Sequence, residues 1–410
     1  MDSYRFYLGA RGFYGICWTC MVTVNMVFMV EVAGLDPLQM VLVGTVLEGS
    51  VFLFEIPTGV VADAVSRRLS VIIGHVMIGV GFLVLALFPS FVLILLSQVI
   101  WGVGWTFISG AYAAWLSEEV GVERANEAFL RGSQISHAAG FFGIGAAIAM
   151  AHISLQLPII VGAIGVMGLG LGMCFLLREH GFEPTAIGER ETWKVMRHTF
   201  RAGVAEIRSR PVLLVMLSIT AVFGMFSEGI DRLFTPYLIE SFEFPKLGGL
   251  GSVTWWGIIA AVSSLVGLAA TTLARRRVDL GDQARITWLL GSFLIVIGLL
   301  VLLIANLSGF MMVLGCYWLV GGLRSAYDPL VTAWLNRLLP ARSKATLFSM
   351  YGQSDALGQT VGGPVIGALA KYVSIAFALG ASAMILLPSL PMYRKVAKGL
   401  QSGDVGMNDE

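Results

Sequence analysis

Charge is what this sequence has least of. Only 13% of its 410 residues are Asp, Glu, Lys or Arg, and 57% are hydrophobic, whereas an ordinary soluble domain carries about 25% charged residues. With a mean hydropathy of +0.81, the chain is not a soluble globular protein. The two signs nearly balance, 27 basic against 26 acidic residues for a net charge of +1, so no basic excess argues for nucleic acid. Cysteine is scarce too. Cys17, Cys20, Cys174 and Cys316 all fall in apolar runs, which excludes a disulfide framework. Cys17 and Cys20 form a C-x-x-C, but on a helix in lipid that spacing reads as two packing residues sooner than as a redox pair. Catalytic signatures are missing: there is no H-E-x-x-H, no G-x-G-x-x-G, no P-loop and no Cys/His cluster. An ATP-driven pump is thereby removed, and no enzyme, metal or cofactor is expected. The first apolar run also continues too far, without an A-x-A-like site, to be a cleavable leader.

What the sequence has instead is long apolar runs. A spanning helix needs about 20 predominantly apolar residues. That window predicts spans at 9–33, 40–62, 70–88, 91–116, 132–152, 156–177, 212–238, 253–274, 286–305, 309–335, 347–370 and 373–393. The expected fold is therefore all-α and membrane-embedded, with twelve helices in two six-helix bundles, 1–177 and 212–395. A charged linker at 178–211 joins them, and a tail follows at 396–410. Placing the N-terminus in the cytoplasm puts all but four of the 27 basic residues on that side; Lys246 and Lys371 fall outside, and Arg232 and Arg324 lie within spans. This follows the positive-inside rule and sets both termini in the cytoplasm of a cell whose inner, plasma membrane holds the protein. The linker stretch 193–207, W-K-V-M-R-H-T-F-R-A-G-V-A-E-I, has the basic residues of an amphipathic helix lying on the inner leaflet. The halves repeat weakly: a shift of 219 residues lays Ala-Trp-Leu 114–116 on 333–335, Phe129 on Phe348, Gln134 on Gln353 and Gly143 on Gly362. Two related bundles are the architecture that transporters use for alternating access.

Residues 59–68, G-V-V-A-D-A-V-S-R-R, follow the second apolar run. They resemble the loop signature G-x-x-x-D-x-x-G-[RK]-[RK] of the major facilitator superfamily, and the resemblance extends over essentially the whole chain. The longer pattern E-x-P-x5-D-x3-R-R from Glu55 is similar to a clostridial-type branch of tetracycline efflux pumps within the drug:proton antiporters. Ser66 stands where Gly is usual, which is expected to make a tight turn less comfortable, since Gly tolerates positive φ. The resemblance implies gating by Gly59, Asp63, Arg67 and Arg68. Gly59 would let another helix approach, and Asp63 would pair with an Arg or accept from helix amides. The bland alternative makes the Arg pair ordinary membrane anchors.

Ionisable groups at depth in a bilayer cost about 2.5–3.5 kcal/mol each by insertion scales, which makes them functional candidates. Glu48 and Glu55 share one face of the second helix, about 12 and 22 Å in from its outer end. A carboxyl in a low-dielectric cavity can load and unload a proton near neutral pH, so both are candidates for proton coupling; Glu55 has the alternative of an interhelical hydrogen bond beside Pro57. Helix seven carries Glu228, Asp231 and Arg232. The i,i+4 spacing predicts a Glu228–Arg232 pair, with Asp231 left as the free carboxylate or as a partner for another helix. Glu228 and Asp231 join the proton-coupling candidates. Arg324 and Asp328 of helix ten are again i,i+4. In facilitator folds the first, fourth, seventh and tenth helices line the central cavity. The resemblance therefore places Asn25, Asp231, Arg324 and Asp328 on the substrate path, with Trp105, Arg232 and Asp355 as further cavity candidates. Trp101 and Trp105 share a face that stacks a planar ligand or simply packs. His75 and His137 read as packing residues, and Trp255 and Trp256 as interfacial anchors.

Two departures from the antiporter pattern stand out. Gln98 occupies the place of the usual helix-four Arg, and residues 140–147 lack the Pro of the helix-five signature. A closer version, G-Q-T-V-G-G-P-V-I-G, lies at 358–367, where Gly363 and Pro364 suggest a hinge or seal. The sequence thus predicts a monomeric, proton-coupled exporter of a small amphipathic compound, with protons, substrate and lipids as its partners. A uniporter or importer without proton coupling is the alternative.

Overall fold

The computed structural model describes residues 2–181, 211–246, 251–278, 283–338 and 344–402. Among these residues every regular element is a helix. In order they are α1 (Ser3–Glu31), α2 (Pro37–Ala64), α3 (Arg67–Leu87), α4 (Phe91–Ser109), α5 (Ala111–Val120), α6 (Val122–Ala151) and α7 (Gln156–Leu176). After the linker come α8 (Pro211–Ser241), α9 (Val253–Arg277), α10 (Gln283–Asn306), α11 (Phe310–Leu338), α12 (Lys344–Tyr372), α13 (Ile375–Ile385) and α14 (Ser389–Ser402). The stretch 193–207 lies outside the described residues.

Among the described residues ten stretches are long and apolar enough to cross a membrane, with α4–α5 and α13–α14 each counting as one. Two long helices, α11 and α12, stand outside that number. They are the ones that carry Arg324, Asp328 and Asp355. Polar caps start several helices. Asp36 and Gln39 form a reciprocal capping box at α2, and Ser374 accepts from the Phe377 amide at α13.

Two predicted spans are each broken in two. The fourth breaks at Gly110. The twelfth breaks at Leu386–Pro388, because Pro388 has no N–H to give the Met384 carbonyl. The chain there tightens to i→i−3 bonds instead, from Leu386 to Ala383 and from Leu387 to Met384.

The chain divides into two compact units, Met1–Thr192 with Phe244–Ala261, and Trp193–Glu243 with Val262–Glu410. In the first, α1 packs on α6 and α7, and α3 on α4 and α7. In the second, α8 packs on α12 and α13, and α10 on α11 and on α13–α14. One packing scheme thus occurs twice, and the residues of the sequence repeat occupy like places in it. Trp115 and Trp334 are each fully buried in their unit. A Cβ on Gly143 would stand 2.5 Å from the Ile16 carbonyl of α1, and one on Gly362 would stand 2.8 Å from the Met225 Cα of α8. Both glycines are therefore sites of close helix approach.

Both cysteines of the C-x-x-C are free and buried on α1, where Cys20 Sγ donates to the Pro158 carbonyl at 3.5 Å. They are packing residues. Trp255 and Trp256 are corrected from interfacial anchors: both are buried, Trp255 donating to the Pro245 carbonyl and Trp256 lying on Phe244.

Candidate functional site

In the second unit Arg324, about 21 Å along α11 at 1.5 Å per residue, reaches across to α8. Its Nη1 donates to Asp231 Oδ1 at 2.5 Å and its Nη2 to Asp231 Oδ2 at 2.8 Å, a bidentate charge-assisted pair. The i,i+4 spacing to Asp328 on the same helix is not the one used. An Asp four residues after an Arg is the weaker order on one helix, whereas Asp231 offers both oxygens in the plane of the guanidinium fork. The anticipated option of Asp231 as a partner for another helix is the one realised.

Around this pair lie two more carboxylates and an aromatic frame. Asp328, exposed and one turn beyond Arg324, interacts electrostatically with Arg324 and Asp231. Asp355 of α12 interacts with all three, and its Oδ2 accepts from Gln359 Nε2 at 2.7 Å. The Arg324 guanidinium carbon sits 5.7 Å from the centre of the Phe223 ring, close enough for a cation–π contact. Phe223 stacks on Tyr327, and Phe234 on Tyr317. One guanidinium thus faces three carboxylates, so the cluster has negative charge to spare for a proton or a cation.

Glu228 and Arg232 form the ion pair that their spacing predicts, 3.5 Å apart with side chains 1% and 9% exposed. Both are thus buried inside the unit, whereas the neighbouring Asp231 side chain is 47% exposed. Arg232 was expected on the substrate path; the structure packs it inside its own unit.

The first unit holds the remaining candidates. Glu55 Oε1 accepts from Ser109 Oγ of α4 at 2.9 Å, which is the interhelical bond anticipated as its alternative role. Beside it Pro57 sits within an unbroken α2, where the Thr58 hydroxyl bonds to the Phe54 carbonyl. Glu48 is half-buried on the same helix. Asn25 is buried, and its Oδ1 has no hydrogen-bond partner among the described residues. Trp101 packs between Trp18 and Phe82, whereas Trp105 is 43% exposed, so only Trp105 still offers a face to a ligand. His75 is a buried packing residue bonded to the Val71 carbonyl; His137 is exposed, which leaves it the place of an interface residue and not of a packing one.

The α2–α3 turn anchors one end of this unit. Arg67 bridges Asp63 at 3.4 Å and Glu118 of α5 at 2.5 Å. Arg68 donates from Nη2 to the Cys174 carbonyl, and its amide donates to Glu179. Glu119 accepts from the backbone amides of His180 and Gly181, fixing the chain that leaves α7. The sequence reading missed Glu118, Glu119 and Glu179. Their signal was three carboxylates at span ends that otherwise collect basic residues. Among the described residues nothing lies within 4 Å of where a Cβ on Gly59 would stand. Gly363 is buried and Pro364 lies within a continuous α12.

The supposed discomfort of Ser66 is also corrected. Its φ is −176°, extended backbone that needs no glycine, and its Oγ caps α3 by accepting from the Leu69 amide at 3.0 Å while donating to Glu179 at 2.6 Å. Ser66→Ala should therefore cost about 1 kcal/mol and Ser66→Gly only a few tenths in the cap itself. Thermal unfolding of the purified variants in detergent checks this: a Gly variant more stable than the native chain would mean that the turn wants a glycine after all.

A family profile described as Major Facilitator Superfamily matches residues 8–318. An uncharacterized MFS-type transporter, YxaM of Bacillus subtilis (strain 168), is 23% identical over 378 residues, 88% of each chain. Among solved structures, a bacterial homolog of the human lysosomal transporter Spinster, inward-facing and unoccupied, is similar with a TM-score of 0.75 and 14% identity over 98% of both chains. The nucleoside transporter NupG is similar with a TM-score of 0.74 and 13% identity, over 98% of this chain and 99% of that one.

Proposed function

Because the chain belongs to the Major Facilitator Superfamily, and is thus a multi-pass membrane transporter rather than an enzyme, we propose that it exports a small amphipathic compound in exchange for protons. The observation that carries this reading is the Asp231–Arg324 pair with Asp328 and Asp355 in electrostatic reach of it. A guanidinium keeps its charge at every physiological pH. The carboxylates do not, and with one cation among three of them a proton that neutralises one still leaves the guanidinium with carboxylates beside it. Taking up a proton on Asp231 cancels one half of a cross-helix tie between α8 and α11. That is the kind of change that lets one packed arrangement give way to another.

In this reading α11 and α12 complete twelve spans in two six-helix halves, with both termini in the cytoplasm and the protein in the plasma membrane. Their lower hydropathy follows from lining a polar path. Glu48 and Glu55 are the further proton-coupling carboxylates. Asn25 and Trp105 belong to the substrate path. Arg67, held between Asp63 and Glu118, is a latch at the cytoplasmic end that closes and opens with the cycle, with Gly363 and Pro364 as a hinge.

The test is flux of ethidium or tetracycline in proteoliposomes carrying a pH-sensitive dye inside. An imposed pH gradient should drive these probes uphill, with matched proton movement, and Asp231→Asn should abolish the uphill component. Glu48→Gln should reduce it. Flux that only runs down its own gradient, indifferent to pH and to both amides, would favour the uniporter or importer reading.

A further inference from the structure

One guanidinium cannot serve both pairings available to Arg324. The i,i+4 spacing offers it Asp328, and the fold gives it Asp231. Side chains four apart on a helix stand about 5–6 Å apart at Cβ, so a rotation of the Arg324 side chain suffices to reach either. Among the described residues no hydrogen bond reaches the Asp328 carboxylate. We infer that Arg324 exchanges partners during transport: it holds Asp231 in the state seen here and Asp328 in a second state, which makes Asp328 a working carboxylate of the cycle. The inference rests on the proton-coupled reading above and says how a proton is turned into movement.

The two pairings differ in what they hold. Arg324–Asp231 ties α8 to α11, whereas Arg324–Asp328 closes within α11 and leaves α8 untied. A proton arriving on Asp231 releases the guanidinium to Asp328; its departure draws the guanidinium back. Before the proton arrives the site holds the Arg324–Asp231 pair and an unpaired Asp328 carboxylate; after it the site holds the Arg324–Asp328 pair and a neutral Asp231. One ion pair is kept in both states and the bound proton decides which, as a bistable element requires. Phe223 flanks the guanidinium in the state seen here, its ring centre 5.7 Å from the guanidinium carbon.

The other groups facing the swap are few. Asp355 of α12 interacts with Asp231, Arg324 and Asp328. Tyr317 of α11 faces the Asp231–Arg324 pair, and Tyr327 of α11 and Tyr351 of α12 face Asp328. Phenols stay protonated across the working range, and Glu228–Arg232 is paired with itself. Protons on Asp231, Asp328 and Asp355 therefore govern the exchange.

Spin labels on Glu240 of α8 and Met312 of α11, both exposed, read the tie directly in the full chain reconstituted in lipid, with Cys174 and Cys316 replaced by Ser. On passing from alkaline to mildly acidic buffer the otherwise native chain should gain a second distance population. Asp231→Asn should show that second population at every pH, Asp328→Asn should stay in the first, and Asp328→Glu should restore the response. An Asp328→Asn chain that responds to acid like the parent would overturn the proposal, as would an Asp231→Asn chain that keeps the first distance. Ethidium flux on the same samples separates the two readings: an intact distance response without proton-driven flux supports the swap and removes proton-coupled export, while proton-driven flux with no distance response does the reverse.

Discussion

Replacing Arg324 by alanine is expected to lower proton-driven flux by at least about a hundredfold, equivalent to about 2.7 kcal/mol, while the protein still folds. The side chain makes two hydrogen bonds to Asp231 and covers the Phe223 ring. Without it, Asp231, Asp328 and Asp355 are left with no counter-charge among them. Removing one partner of a fully buried pair costs about 3–5 kcal/mol. Here the Asp231 side chain is 47% exposed and that of Arg324 is 24% exposed, so solvent screens part of the loss and the unfolding penalty should be well below that range. Transport has no such relief, because the cross-helix tie is gone in every state of the cycle. Arg324→Lys separates charge from geometry. Lysine restores the positive charge but not the planar fork that grips both carboxylate oxygens, so its flux should fall between native and Ala. Initial rates of ethidium movement under a fixed pH gradient, set beside thermal unfolding of the same preparations, check both statements. An Ala variant that transports normally would remove the cluster from the mechanism.

Much of the fold was legible because lipid imposes a length and a polarity on each segment, and apolar runs report both directly. The breaks inside the fourth and twelfth spans were less visible. Pro388 was a readable signal for one of them, but a hydropathy window averages over a single missing N–H. In the site, local pairs were legible and cross-helix pairs were not. Glu228 and Arg232 meet as their spacing demands. The same rule offered Arg324 only Asp328, in the weaker order, since spacing along one helix carries no record of which helix lies beside it. Asp355 accepts from Gln359, four residues on, another local pair within reach of the same spacing rule. The carboxylates that hold the α2–α3 turn, Glu118 and Glu179, are 51 and 112 residues from Arg67 in sequence, and only the folded chain brings them together. Ser66 failed for another reason. A loop pattern that usually has glycine invited an argument about positive φ, whereas the backbone there is extended and makes use of the hydroxyl.

The two glycines singled out by close approach and by its absence should respond oppositely to leucine. At Gly358 a Cβ would overlap the Ala221 backbone of α8, where α8 and α12 pack with no side chain between them. Neither backbone can yield without parting the helices, and helix association in a membrane depends on just such packing. Gly358→Leu should therefore cost on the order of 3 kcal/mol or more, the upper end for overpacking, and leave little protein eluting as a single species from a sizing column. Gly59 is the reverse case, with open space where its side chain would be. Gly59→Leu should leave stability within about 0.5 kcal/mol of native. If residues 59–68 close a gate, however, that space has to be filled by another helix at some other point of the cycle, and leucine would then block it. The expected result is a variant that purifies and melts like the native protein yet moves ethidium at least about tenfold more slowly, a loss of about 1.4 kcal/mol. A Gly59→Leu chain that both folds and transports normally would show that nothing ever approaches Gly59, and the latch would then rest on Arg67 and its two carboxylates alone.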